Sequence, residues 1–140
     1  MRRAIALLLT CGLVPQVAQA AATGTWSRTS AGGVLSVGNQ IMTSAPLSPS
    51  VAVPPQATIT RINWRISLLN PPPPGLEIKL CTPARCVKLD ALAGQQTLPE
   101  NMRPGDTWRF VYSVNQYGQL RPALNVVSQQ LTVNYRLTSP

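Results

Sequence analysis

The chain has 140 residues, 44% hydrophobic and 11% charged, with twelve Lys and Arg against four acids and no histidine. That length suits one domain, and so little charge with so much apolar matter excludes a disordered chain. The missing histidine excludes a Ser-His-Asp triad, a Cys-His pair and any His-ligated metal site, and four carboxylates leave little for paired acid/base work. A small Pro-rich globular domain is expected, not an enzyme, with no cofactor and no metal.

The chain opens on an address. Arg2 and Arg3 precede an apolar run from Ala4 to Val14, Pro15 breaks it, and Ala18-Gln19-Ala20 follows. A positive start, a short apolar stretch and a small-x-small site make a secretory signal peptide. The run falls well short of the ~20 residues a membrane span needs. Residues 1–20 are expected to be removed, with Ala18 and Ala20 as the small residues of the cleavage site and Ala22 marking a second possible site. The domain left is 21–140, with no further stretch of membrane-spanning length.

Everything after the leader reads as strand and turn. Thr23 to Ser27, centred on Trp26, forms a first short strand. Val34–Val37 and Gln40–Thr43, joined at Gly38-Asn39, read as a hairpin. Ser44 to Gln56 holds four prolines and reads as a loop, because proline cannot donate to a ladder. Thr58 to Leu69 is the clearest strand, with Ile62, Trp64, Ile66 and Leu68 alternating against Arg61, Asn63, Arg65 and Ser67. Pro71 to Pro74 makes a rigid extended connector, and Gly75 turns the chain.

A cysteine hairpin follows. Leu76, Ile78 and Leu80 alternate with Glu77, Lys79 and Cys81; Val87 and Leu89 alternate with Cys86, Lys88 and Asp90. The alternation places both cysteines on one face, and Thr82 to Arg85 suit the loop between them. In an exported chain such a pair is expected to be a disulfide, Cys81 to Cys86. Thiol redox chemistry of the thioredoxin kind wants two intervening residues and a helix N-terminus, and neither is here.

Asp90 to Asp106 reads as a second long loop. Thr107 to Val114 alternates again around Trp108, Phe110 and Tyr112. Asn115 to Gly118 turns, Leu120 to Val127 forms a strand entered through Pro122, and Leu131 to Leu137 forms the last. Seven to nine short strands with uneven loops and no helical periodicity predict a single all-β antiparallel sandwich with a disulfide-stapled hairpin.

Little here could carry chemistry. The unusual bulk feature is positive charge, and Arg61, Arg65, Lys79, Lys88 and Arg85 are the candidate docking residues, all in the polar register of their strands or at a loop tip. They suit an acidic or membrane-proximal partner; a solvated sheet face is the plainer account. Nucleic acid is not expected for an exported domain without exposed aromatic interleaving, and no small-molecule substrate is expected. Trp64 and Trp108 sit in the apolar register and read as core. Trp26 is open: core, or part of a sugar-binding platform.

The ordered set of local runs resembles the flagellar FlhE family. It comprises Gly24-Thr25-Trp26, Ser44-Ala45-Pro46-Leu47-Ser48, Trp64-Arg65-Ile66, the cysteine run from Pro74 to Asp90, Arg109-Phe110-Val111-Tyr112, and the stretch from Leu120 to Arg136. The resemblance implies a non-catalytic periplasmic accessory protein whose gene accompanies components of the flagellar export gate. It further implies a link to swarming and to limiting proton leakage through the export apparatus, with an export-apparatus or basal-body protein as partner on the periplasmic side. Of particular residues it carries over only the cysteine pair, onto Cys81 and Cys86. Two other readings fit a sandwich of this kind: a carbohydrate- or surface-binding module using Trp26, and a periplasmic chaperone that lends an edge strand.

Overall fold

A computed structural model of the chain describes Gly12, residues 22–99 and residues 101–137. The leader and its cleavage residues Ala18 and Ala20 lie outside them. Every regular element described is a strand: β1 (Thr23–Ala31), β2 (Val34–Val37), β3 (Ile41–Thr43), β4 (Ala57–Leu68), β5 (Leu76–Cys81), β6 (Cys86–Leu89), β7 (Ala93–Gln96), β8 (Arg109–Val114) and β9 (Gln119–Leu137). They form two antiparallel sheets. The first has the order β1-β9-β4-β7, with β2 also pairing β9; the second has the order β3-β8-β5-β6. This is the sandwich that the strand count and turn spacing predict.

Alternation decides the inside. In the first sheet Trp26, Val133 and Ile62 share one inward row, and Trp64 pairs Leu131 in the next. From the second sheet Ile78, Leu80, Phe110, Tyr112 and Val114 face them. Trp108, Phe110, Tyr112, Ile62, Leu80, Leu131 and Val133 are fully buried. Aromatic and β-branched side chains fill such an interior well because two pleated faces leave about 10 Å between them.

The strands connect mostly across the sandwich. Among consecutive strands only β5 and β6 pair with each other. The hairpin expected from Val34 to Thr43 is therefore corrected: β2 pairs β9 in one sheet, and β3 pairs β8 in the other. Gly38 N–H donates to Gly118 O and Asn39 N–H to Val114 O, so the turn is bonded to the β8–β9 connection instead of closing on itself. Asn39 holds φ at 59°, in the left-handed region that asparagine tolerates.

β1 runs on to Ala31, past the expected end at Ser27, and two further differences are larger. β7 lies inside the stretch read as loop. Ala93-Gly94-Gln95-Gln96 lacks the β-branched and aromatic residues that signal a strand; it pairs because the Ile62–Arg65 edge of β4 is open to it. Gly94 lies against the Trp64 ring, where a Cβ would meet the indole at 3.0 Å. The two strands read from Leu120 to Leu137 are one, β9. Its pairing with β4 slips between Ser67↔Ser128 and Leu68↔Val126, so Val127 is an extra residue. A bulge reverses the apolar phase, and a reversed phase looks like a break between strands. Pro122 sits where the β2 ladder is interrupted, between Val37↔Gln119 and Leu35↔Leu124.

Candidate functional site: two basic sheet faces

Cys81 and Cys86 are opposite each other in the β5–β6 register and are disulfide-bonded. The bond closes a loop of a few residues, so the chain-entropy account gives it about 2 kcal/mol. Cys81→Ala is accordingly expected to lower the unfolding free energy by about 2 kcal/mol without abolishing the fold, read by denaturant titration with Cys86 blocked. Unreduced, denatured parent protein should show neither Cys81 nor Cys86 reactive to thiol reagents.

The five candidate cations do not share a face. Arg61 and Arg65 are exposed on the outer side of the first sheet, since Ile62, Trp64 and Ile66 of β4 point inward. Lys79 and Lys88 are exposed on the outer side of the second sheet, and Arg85 stands at the tip of its hairpin. Period-2 alternation tells outward from inward but not which sheet a strand joins, which is why sequence reasoning grouped them.

The Arg61 and Arg65 face is mostly polar, with Ala93 beside Arg65 as an exception. Arg61, Asn134 and Thr25 form one outward row; Asn63, Thr132, Ser27 and Gln95 form the next; Arg65, Gln130 and Thr29 the third. Ser27 Oγ and Thr132 Oγ1 lie 3.0 Å apart in a hydrogen bond. A shallow groove of about 380 Å³ crosses this face, lined by Asn63, Arg65, Gln95, Gln130 and Thr132 beside Gly94. Asn63 Oδ1 lies buried beside it with no hydrogen-bond partner among the described residues. The groove was not legible in the sequence, because β7 supplies one wall and carried no strand signal.

On the opposite face Lys79 stands directly across from Lys88, and Arg109 pairs Cys81 one row on. Arg85 Nη1 donates to Asn101 Oδ1 at 3.4 Å. Arg109 is a member of this cluster that the candidate set omitted; its place in the polar register of the Thr107–Val114 alternation was the available signal.

Trp26 is resolved as core. It is 2% exposed, and its Nε1–H donates to Pro104 O at 2.7 Å. A buried indole offers no stacking platform, so the sugar-binding role considered for it has no ring to use. Trp64 and Trp108 are buried as well, and Trp64 Nε1–H donates to Ala91 O.

One buried polar network crosses between the sheets. Tyr112 O–H donates to Gln129 Oε1 at 2.8 Å, and Gln129 Nε2 donates to Ser30 Oγ at 2.6 Å and Ala31 O at 2.9 Å. Burial pushes the Tyr112 hydroxyl pKa well up from its ordinary value, so the group stays a protonated donor. The network ties β8 to β9 and β1, and its members Tyr112, Gln129 and Ser30 include no carboxylate, lysine or histidine. Among the described residues no three His, Cys, Asp or Glu side chains gather as a metal site, and no helix is long and apolar enough to cross a membrane.

Residues 32–136 match the family model described as flagellar protein FlhE. The chain is similar to flagellar protein FlhE of Escherichia coli (strain K12), 35% identical over 136 residues, 97% of this chain and 100% of the relative. FlhE of Salmonella typhimurium (strain LT2) is 38% identical over the same shares, and that of Yersinia enterocolitica is 33% identical over 96% of each chain. A crystal structure of FlhE superposes with a TM-score of 0.77 at 36% identity, covering 83% of this chain and 99% of that one.

Proposed function

The chain belongs to the FlhE family of flagellar proteins, and from that premise we propose that it is exported, loses its leader, and acts by stoichiometric binding at the periplasmic side of the flagellar export apparatus. There it limits proton leakage and supports swarming without catalysing a reaction. Family membership carries this reading. The geometry supports a binding role: the outer face of the first sheet presents exposed Arg61 and Arg65, with a shallow groove beside Arg65.

Ala22 bears on the cleavage site. Leu137 N–H donates to Ala22 O at 2.7 Å, extending the β1–β9 ladder by one bond. Cleavage after Ala20 keeps that bond, and cleavage after Ala22 removes its acceptor. The mature N-terminus is therefore proposed to be Ala21, and N-terminal sequencing of periplasmic protein reads it directly. A leader retained on a cytoplasmic product would overturn export.

The functional test is a deletion strain complemented with variants. Deletion is expected to disturb cytoplasmic pH or swarming while filaments still assemble. Arg61→Glu/Arg65→Glu should fold normally, because both side chains are exposed, yet complement poorly. A folded, abundant double variant that complements fully would remove this face as the docking surface. Unchanged pH and swarming on deletion would remove the flagellar role itself.

A further inference from the structure

The second sheet carries a different kind of surface. Lys79 and Lys88 are directly opposed across the β5–β6 ladder, a spacing of about 5 Å between Cβ atoms at which like charges repel. Arg109 flanks them beside Cys81, and Arg85 follows at the hairpin tip. Lys79, Lys88 and Arg109 have no hydrogen-bond or ion-pair partner among the described residues, and all four cations are exposed. The nearest acids stand one outward row back from the lysines, Glu77 two residues before Lys79 and Asp90 two residues after Lys88, so on β5, β6 and β8 the charges from the lysine row out to the tip are all positive; Asp106 Oδ2 accepts from Arg103 N–H. The tip itself exposes Pro83 and Ala84, and the disulfide locks the hairpin that presents it.

The geometry points to this hairpin end of the second sheet as a peripheral docking surface for a bilayer rich in anionic phospholipid. The cations spread over three strands and a protruding tip, and none of them lines the grooves beside Trp64, Met102, Pro122 or Leu76. A folded acidic partner would need carboxylates placed to match each of them. A fluid array of phosphate headgroups meets spread charges with no such matching, and the small apolar apex can rest at headgroup level. Lipid phosphates also relieve the mutual repulsion of Lys79 and Lys88. No helix among the described residues can cross a membrane, so contact here would be of the surface kind. This inference does not depend on the flagellar role, and its test contains no flagellar component.

The experiment is cosedimentation of purified, oxidised protein with phosphatidylcholine vesicles that contain or lack phosphatidylglycerol, at low and high salt. The parent should bind only the mixed vesicles, and salt should release it. Each cation near an anionic surface is worth about a fivefold change in partition, so Lys79→Glu/Lys88→Glu should lower binding more than tenfold. Arg61→Glu/Arg65→Glu makes the same net-charge change on the opposite face and should bind within about twofold of the parent. A retained leader would contribute equally to every variant, so the difference reads the face alone. Intact folding of both variants is checked by near-ultraviolet circular dichroism. Lys79→Glu alone converts the repelling pair into an attractive one, and it too should bind less while remaining folded. Equal loss in both double variants would reduce the effect to net charge and overturn the proposal. So would indifference to phosphatidylglycerol, or displacement by free inorganic phosphate beyond that by chloride at equal ionic strength. Retention of the parent on an immobilised acidic polypeptide but not on mixed vesicles would assign the face to protein and overturn it equally.

Discussion

Trp26→Ala is expected to lower the unfolding free energy by about 3–5 kcal/mol, the range for truncating a buried aromatic. Trp26 is the buried anchor of β1, a strand bonded to the sheet along one side only, through β9. Its ring fills the inward row with Val133 and Ile62, and its Nε1–H holds the carbonyl of Pro104 in the loop before β8. Truncation removes the packing and the tether together. Trp26→Phe restores most of the ring and not the donor, so it should cost about 1–3 kcal/mol, the range for one orphaned buried acceptor. Against a total stability of about 5–15 kcal/mol, the Ala variant should melt many degrees lower or fail to accumulate. Chemical denaturation of the three proteins checks this. A Trp26→Ala protein that unfolds at the parent's midpoint would show that β1 is held by its backbone ladder alone.

The second large effect lies in the core network. Gln129 is fully buried, and its Oε1 accepts a hydrogen bond from the Tyr112 hydroxyl at 2.8 Å. Gln129→Leu keeps the volume roughly but leaves that hydroxyl without an acceptor, at a cost of about 1–3 kcal/mol. It also removes the donors to Ser30 Oγ and Ala31 O, which lie nearer solvent. The expected total is about 3 kcal/mol, near the upper end of that range. Tyr112→Phe should cost less, since it orphans only Gln129 Oε1 and leaves the amide's bonds to Ser30 Oγ and Ala31 O in place. The double variant replaces both partners with apolar groups, so it should lose less than the sum of the two singles. Additive losses would mean that the hydroxyl and the amide do not act as a pair. The hydroxyl stays protonated through neutral pH, so these differences should not change across the neutral range.

How much of this was legible without coordinates follows from the range of each interaction. The inward and outward sides of β4, β5 and β8 were plain, because period-2 alternation is a local property of the pleat. So was the Cys81–Cys86 pairing, since the two strands that bring the cysteines together are adjacent in sequence and pair directly with each other. The family resemblance was equally a property of short ordered runs, and the comparisons agree with it.

What sequence could not decide was which strand lies beside which. Thr23 to Ala31 pairs with residues about a hundred positions away, and no local signal carries that information. β2 and β3 looked like a hairpin because a Gly-Asn turn is read locally, whereas the carbonyls that hold it belong to Gly118 and Val114. β7 is a strand only because β4 leaves an edge open to it, so its own residues were silent. The division of the basic residues between two opposite faces has the same origin. Amino-acid alternation determined that Arg61, Arg65, Lys79 and Lys88 face water. Only the pairing of strands into two sheets decided that the arginines and the lysines look away from each other, because sheet membership is set by distant backbone partners and not by the side chains themselves.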